Sequence, residues 1–337
     1  MGSVVQLKKT INNSYSDLLK SVEDKLILVN EKISSKLTSK VDLIQNMTDY
    51  HLDTGGKKLR ALLTLSSSKL CGYSKGGRDI NLAACVELIH AATLMHDDVI
   101  DNALVRRNKE TLNTIWGNKS SILVGDYLLS RCFEMMVEDG SLEILKLLSS
   151  TSSEIAQGEV LQLQHHGEID MLEETYLKII SLKTAALFSA STKVGAILAN
   201  RDNKYKEALE FYGKNLGLTF QIADDALDYN SELKLFGKKI GNDFYEGKIT
   251  LPIILLYQRC SSEEKKYLKN LFEKQNRDEN EFKNTLEKIK KYKIINECYK
   301  KAEYFINLAS NSLSIFEENQ DKNILKKLTS FSLSRNF

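Results

Sequence analysis

The stretch 79–102, DINLAACVELIHAATLMHDDVIDN, decides the fold class and contains the first candidate functional motif. It is rich in apolar residues and contains neither proline nor glycine, so it predicts a long and largely buried helix. The stretch ends in Asp97, Asp98 and Asp101, which form a DDxxD pattern. Residues four apart on a helix share a face, so Asp97 and Asp101 point the same way.

The rest of the chain has the same helical bias. Pro252 is the one proline in 337 residues, and there are 17 glycines. Proline ends helices and β-rich folds need many turns, so this scarcity favours an all-α protein. No linker-like segment divides the chain, and we expect a single domain over 1–337, with its motifs in about 45–260 and further helices in 261–330. Continuous helix is predicted for about 1–50, and loops are predicted for 103–116 and 235–247.

Composition excludes several classes of protein. Lys and Arg number 47 against 45 Asp and Glu, a net charge of +2, which gives no reason to expect a nucleic-acid partner. With 42% hydrophobic residues the chain is not of the disordered class. No apolar run is long enough to predict a transmembrane segment, and the N-terminus does not resemble a secretory signal. Five cysteines without a CxxC pair suggest reduced thiols and a cytoplasmic protein.

A second DDxxD pattern, Asp224, Asp225 and Asp228 in FQIADDALDY, follows another apolar helix. Like charges one turn apart repel, and carboxylates in apolar surroundings need cations. Hard oxygen ligands of this kind suit Mg²⁺, which binds through one or two carboxylates together with substrate phosphates. A single acidic pattern is most simply a solvated helix face, whereas two copies predict a site for a metal-bridged diphosphate.

Cations and glycines accompany both patterns. Gly55–Arg60, GGKKLR, opens a helix, and the free N–H groups there favour an anion. Arg106 and Arg107 follow the first pattern, and His90 lies seven residues before Asp97. Lysines near the second pattern are Lys183, Lys238 and Lys248. Together these side chains predict a second anion held without metal beside the first diphosphate.

At this point the sequence resembles a known family, the trans-isoprenyl diphosphate synthases or polyprenyl synthetases. The matching segments occur in the order GGKKLR, LIHAATLMHDDVIDNALVRR, GD at 125–126, LKTAAL, FQIADDALDY and GKKIGNDFYEGKITLP. The resemblance implies a bundle of long, mostly antiparallel helices around a central cavity, the isoprenoid synthase fold, and a homodimer. Two departures, Lys58 for the usual Arg and Ala61 for the usual Pro, remove no proposed ligand.

Residue roles follow from the matching motif positions. The resemblance implies that all six aspartates are catalytic. Asp97, Asp101, Asp224 and Asp228 would hold Mg²⁺, three ions per active site with substrate bound, with Asp98 nearby and Asp225 in a supporting role. It implies that the allylic diphosphate, of farnesyl or geranyl type, contacts Arg106, Lys183, Thr184, Gln221, Lys238 and Lys248. It implies that isopentenyl diphosphate binds to Lys57, Arg60, His90 and Arg107.

Product length is expected to depend on the residues one turn before Asp97. Ala92 and Thr93 are small, whereas bulky aromatic residues there end chain growth early in this family. The pattern therefore resembles long-chain synthases that make octaprenyl to decaprenyl products for quinone side chains, which are then delivered to a membrane. Three alternatives stay open: a short-chain farnesyl or geranylgeranyl diphosphate synthase, a non-catalytic subunit of a heteromeric prenyltransferase, and a class I terpene cyclase.

Overall fold

The computed structural model describes residues 2–230 and 240–333, with side chains over 15–230 and 240–329. The chain begins with α1 (Gly2–Leu37), α2 (Asp42–Asp53), α3 (Leu59–Leu70) and α4 (Arg78–Ile100). A hairpin of β1 (Val105–Arg106) and β2 (Lys109–Glu110) leads into α5 (Leu112–Trp116), α6 (Asn118–Asp139), α7 (Leu142–Gln164) and α8 (Glu173–Ile180). These elements confirm the all-α prediction for the first half of the chain.

The second half is helical as well. A π-helical turn (Ser181–Ala185) joins α8 to α9 (Ala186–Leu198), and α10 (Asn203–Asp228) follows. The further elements among the described residues are α11 (Asn242–Glu246), α12 (Leu251–Arg259), α13 (Ser262–Phe272), α14 (Glu279–Lys291), α15 (Ile294–Ser312), a 3₁₀ turn (Leu313–Ile315) and α16 (Gln320–Leu333). Pro252 lies in the first turn of α12, where its missing N–H costs no helical hydrogen bond.

The predicted loop 103–116 is wrong in part, because it contains the hairpin and α5. The two strands pair in antiparallel register, Val105 opposite Glu110. Arg107 and Asn108 form the turn with φ of 54° and 61°, the left-handed backbone that a tight two-residue turn needs. An arginine rarely adopts this conformation, so the sequence carried no turn signal here.

The predicted continuous helix over 1–50 is interrupted at 38–41, between α1 and α2. The Ser39 hydroxyl accepts a hydrogen bond from the Val41 N–H at 3.1 Å, and the Gln45 side chain accepts one from the Ser39 N–H at 2.9 Å. Side-chain bonds of this type offer the backbone an alternative to the helix. The break allows α2 to change direction and to line the cavity that also contains Lys57, Arg60, His90 and Arg107.

Two apolar clusters form the interior, and α10 contributes to both of them. Leu209, Tyr212 and Leu216 belong to a cluster with α1, α3, α4, α6, α7, α9 and α16. Further along α10, Leu218 and Ile222 belong to a cluster with α8, α12, α13, α14 and α15. No helix in the described ranges is both long enough and apolar enough to cross a bilayer.

The π-helical turn lies against α7 at Gly158. A Cβ atom at Gly158 would lie 2.5 Å from the backbone nitrogen of Lys183 and 2.9 Å from the Leu182 Cβ. The contact distance therefore requires glycine on α7. Lys183 and Thr184 lie in this turn, outside regular α-helix. Turns of this kind are often found at functional sites.

Candidate active site

The first aspartate pattern occupies the C-terminal end of α4. Asp98 is buried and accepts hydrogen bonds from Arg106, with Nε at 2.8 Å and a second guanidinium nitrogen at 2.7 Å. Arg106 is therefore oriented by the pattern that precedes it. Asp101, the C-cap residue, forms an ion pair with Lys248 at 2.8 Å.

The second aspartate pattern occupies the C-terminal end of α10. Asp225 is buried and accepts hydrogen bonds from the Tyr176 hydroxyl at 2.6 Å and from the Gln221 amide at 2.8 Å. Asp228 accepts hydrogen bonds from the backbone N–H groups of Gly241, Asn242 and Asp243 at 3.0, 3.2 and 2.9 Å. Asp224 is partly buried on the same helix. Asp228 thus fixes the segment that begins α11.

Lys248 brings the two patterns to one site. It follows α11, and its ammonium contacts both Asp101 and Glu246 at 2.8 Å. These two carboxylates raise the pKa of Lys248 against the lowering effect of its burial. The cation therefore links the end of α4 to the segment that Asp228 holds.

The π-helical turn makes a second connection between the patterns. Lys183 forms an ion pair with Glu159 of α7 and donates a hydrogen bond to Gln162 at 2.8 Å. The Thr184 hydroxyl donates to Gln221 at 2.8 Å, and Gln221 in turn donates to Asp225. Asp97 lies close enough to Glu159 for a hydrogen bond between the two carboxyl groups.

This site has several acidic groups close together, and burial and mutual repulsion raise their pKa values. Burial, together with Glu159 and Asp101, raises the pKa of Asp97 to about 7 against the opposing charge of Lys183. Burial likewise raises the pKa of Asp225 to about 7 against its two side-chain hydrogen bonds, and it raises the pKa of Asp228. Burial, followed by the charges of Asp228 and Asp225, raises the pKa of Asp243 well above its usual value. These groups are costly when ionised, and added cations would stabilise them.

The donor set fits Mg²⁺ that is shared with a phosphate-bearing ligand. Across 2–230 and 240–333, no three His, Cys, Asp or Glu side chains form a metal-binding group by themselves. Mg²⁺ characteristically uses one or two carboxylates and completes its octahedron with water and substrate phosphates. Carboxylates with raised pKa at the ends of α4 and α10 are suited to that role.

A separate cavity of about 450 Å³ contains all four residues predicted for the second anion: Lys57, Arg60, His90 and Arg107. They come from the segment before α3, from α3 itself, from α4 and from the hairpin turn. The cavity is also lined by apolar side chains, Ile33, Leu37 and Leu128 among them. A cationic rim above an apolar interior fits an anion with a hydrocarbon tail.

Backbone conformation places the cations around this cavity. The Arg107 guanidinium donates a hydrogen bond to the Gly55 carbonyl. A Cβ atom at Gly56 would lie 2.6 Å from that guanidinium, so a side chain there would displace the Arg107 side chain from this position. The Tyr15 hydroxyl donates to the Lys57 carbonyl at 2.9 Å, which ties the segment to α1.

Among the residues that line this cavity, sequence reasoning missed His51, Lys58 and Glu87. Burial lowers the pKa of His51 to about 4, and burial with nearby arginines lowers the pKa of His90 well below its usual value. Both imidazoles are therefore neutral at physiological pH. Burial raises the pKa of Glu87, whose carboxylate faces several cations. Glu87 precedes His90 by three residues on α4, so the two side chains share a helix face. That spacing was the signal in the sequence by which Glu87 could have been found.

Tyr176, Glu159 and Asp243 are the residues near the aspartates that sequence reasoning missed. Tyr176 lies on α8 and Glu159 on α7, and their contacts join elements far apart in the chain. Asp243 lies within the matched segment GKKIGNDFYEGKITLP and could have been found there. Lys238, predicted to contact the allylic diphosphate, lies outside the described residues.

The two residues predicted to set product length lie inside α4. Ala92 is fully buried in the apolar cluster shared by α4 and α6. Thr93 is partly buried, and its hydroxyl donates to the His90 carbonyl at 2.8 Å. Their neighbours Ala91 and Leu94 line the cationic cavity. The role of Ala92 and Thr93 in product length stays a prediction.

Fold and site together define an all-α protein in which two acidic helix ends are linked at one site that suits Mg²⁺ and a phosphate-bearing ligand. The family model for polyprenyl synthetase matches residues 41–289, which shows that this chain belongs to that family and is a prenyltransferase.

Individual relatives agree with this assignment. The chain is 40% identical over 248 residues to octaprenyl diphosphate synthase of Escherichia coli, covering 74% of this chain and 76% of that protein. It is 34% identical over 319 residues to an all-trans-nonaprenyl-diphosphate synthase (geranyl-diphosphate specific) of Rhodobacter capsulatus, covering 95% and 97%. The crystal structure of a decaprenyl diphosphate synthase from Rhodobacter capsulatus matches with a TM-score of 0.91 at 35% identity, covering 95% and 99%. Short-chain isoprenyl diphosphate synthases are also among the relatives.

Proposed function

We propose that this chain is a long-chain all-trans polyprenyl diphosphate synthase that adds isopentenyl diphosphate head to tail onto an allylic diphosphate of farnesyl or geranyl type. The observation that carries the proposal is the convergence of the two aspartate patterns, through Lys248 on one side and the Lys183–Thr184 turn on the other. Relatives that make octaprenyl, nonaprenyl and decaprenyl diphosphates support a product of that length, which suits a quinone side chain.

The two binding regions divide the substrates between them. The cationic cavity of Lys57, Arg60, His90 and Arg107 takes isopentenyl diphosphate, because it offers positive charge without acidic metal ligands. The allylic diphosphate lies between the aspartate patterns. Asp97 and Asp101 hold Mg²⁺ from one helix end and Asp224 and Asp228 from the other, with three ions in the loaded site.

The reaction needs no protein nucleophile. When bound, Mg²⁺ supplies Lewis-acid stabilisation of the charge that builds on the departing diphosphate. Arg106, Lys183 and Lys248 surround the same group and add preorganised positive charge as the allylic C–O bond breaks. The isopentenyl double bond attacks the resulting allylic cation, and a proton then leaves the new C–C adduct for the released diphosphate. The buried helix ends keep water away from the cation.

We further propose that the protein forms a homodimer in the cytoplasm. It makes peripheral contact with the membrane that receives the product. Helix α6 supports the dimer, because Ile122, Leu123, Phe133 and Val137 are exposed along it. Exposed apolar stripes of this kind are typical of protein–protein interfaces. One domain over 1–337 is supported by α10, which packs into both apolar clusters.

The decisive experiment measures product length. Purified full-length protein is incubated with farnesyl diphosphate, radiolabelled isopentenyl diphosphate and Mg²⁺, and the dephosphorylated products are separated by chain length. We expect octaprenyl to decaprenyl products, and none in a control without the allylic primer. Products that stop at fifteen or twenty carbons would instead establish a short-chain synthase. Inactivity of the purified chain alone would favour a subunit of a heteromeric enzyme.

A further inference from the structure

Helix α3 begins without a cap of its own. Its N-cap residue is Lys58, which has left-handed backbone with φ of 45° and makes no side-chain capping bond. A lysine ammonium has no acceptor atom, so it cannot satisfy the exposed N–H groups of the first turn. The acceptor comes from another helix: Oε1 of Glu87, on α4, accepts a hydrogen bond from the Ala61 N–H at 2.9 Å.

This contact has the geometry of an ordinary N-cap, supplied from a distance. Ala61 is the third residue of α3, and the N–H at that position is the one that an N-cap side chain usually binds. A carboxylate near a helix N-terminus is also favoured by the helix dipole. Glu87 thereby fixes the first turn of α3 against α4.

Glu87 also lies among the cations of the cavity. It is the single acidic side chain among the described residues that line it, and its charge acts on Lys58, Arg60 and Arg107. One carboxylate among several cations lowers their mutual repulsion.

We propose that Glu87 is a positioning residue for isopentenyl diphosphate, acting by capping α3 and so holding Lys57 and Arg60 in place. The proposal rests on the assignment of this cavity to isopentenyl diphosphate. Glu87 does not touch the substrate in this scheme. Its contribution is to order the segment from which two of the binding cations project.

Two variants of equal length isolate the cap. Glu87→Gln and Glu87→Met both remove the charge, but only glutamine keeps an oxygen that can accept from the Ala61 N–H. Affinity for isopentenyl diphosphate is measured by calorimetry on the full chain, with the allylic site filled by a thiolo analogue of farnesyl diphosphate that does not ionise. Loss of a cap predicts a Kd about tenfold higher for Glu87→Met than for Glu87→Gln, with the affinity for the allylic analogue unchanged in both.

Asp79→Asn is the matched control, because Asp79 is another buried carboxylate on α4 and pairs with Lys25, away from the cavity. It is expected to lower the melting temperature without changing the Kd for isopentenyl diphosphate. Equal Kd values for the Gln and Met variants overturn the proposal. An equal loss of affinity for both substrates in Glu87→Met also overturns it, since that pattern indicates general loss of structure.

Hydrogen exchange tests the cap without any variant or substrate. In the wild-type chain, the Ala61 amide should exchange slowly, at the rate of the middle of α3, when followed by mass spectrometry of fragments covering 57–66. Exchange as fast as that of an uncapped helix end overturns the proposal even if Glu87→Met does not fold. Absence of isopentenyl diphosphate binding in the wild-type chain, with slow exchange at Ala61, would contradict the assigned function and leave the cap established.

Discussion

Individual carboxylates of the proposed active site are costly to the fold when they are ionised. Asp225 is buried and Asp97 is partly buried, and the pKa of each is raised to about 7. A carboxyl group whose pKa is higher in the folded chain than in the unfolded one destabilises the fold when ionised. The site therefore stores an electrostatic cost that bound cations relieve.

Asp97→Asn is expected to abolish most of the activity and to stabilise the metal-free protein. The turnover rate should fall by about 10³ or more, the loss that several kcal/mol of barrier implies. The cost of ionised Asp97 is complete above pH 7 and disappears as the pH falls from about 7 toward 4, because the folded chain then binds a proton that the unfolded chain does not. The variant should therefore raise the melting temperature at pH 8, without Mg²⁺, and raise it less at pH 5.

Asp49→Asn on the exposed face of α2 is the control, and neither quantity should change. Near-normal turnover of Asp97→Asn would refute the metal-bridged diphosphate. A lower melting temperature at pH 8 would show that Asp97 is stabilised by its neighbours instead of being strained by them.

At the scale of elements, the site depends on how closely α7 approaches the π-helical turn. Gly158 permits this close contact. Within the π-helical turn, Lys183 pairs with Glu159 and Thr184 donates a hydrogen bond to Gln221. Regular α-helix through 181–185 would rotate these side chains to other faces. The local irregularity thus connects α7 to α10 across the site.

Gly158→Ala should damage the site through the backbone. The new Cβ would lie 2.5 Å from the Lys183 nitrogen, so α7 or the turn must move. Overpacking of this kind costs about 1–3 kcal/mol of unfolding free energy, and displacement of Lys183 should lower turnover at least tenfold. Urea unfolding and steady-state kinetics measure the two effects. Gln157→Ala, an exposed neighbour on α7, should leave both unchanged, and a fully active Gly158→Ala would show that the close contact is not required.

At the scale of the whole molecule, we predict that the packing of α4 in the bundle limits how far a product can grow. Ala92→Phe adds a ring at a position that is fully buried in the apolar cluster. If the growing tail passes this position, products should shorten toward fifteen or twenty carbons while the first condensation continues. Product chromatography measures the shift.

Ala84→Val, eight residues earlier on α4, is the control for a crowded core, and it should leave product length unchanged. Full-length products from Ala92→Phe would place the length determinant elsewhere.

The helices and the site differ in how far sequence reasoning could predict them. Helical period and the scarcity of proline predicted α4, α6, α7 and α10 closely, because those signals are local. The hairpin at 105–110 was missed. Its Arg107 adopts left-handed backbone and contacts Gly55, about fifty residues away in the chain. Tertiary contacts can impose a conformation that local preference does not signal.

By itself, the sequence determined the fold class and the two acidic patterns, because spacing along a helix fixes which carboxylates share a face. It also supplied the four residues proposed for the second anion, Lys57, Arg60, His90 and Arg107, although not their common cavity. Only the tertiary structure decided that Lys248 reaches Asp101, that Tyr176 supports Asp225 and that Glu87 caps α3. Each of these contacts joins elements distant in the chain, and the packing of whole helices sets such distances.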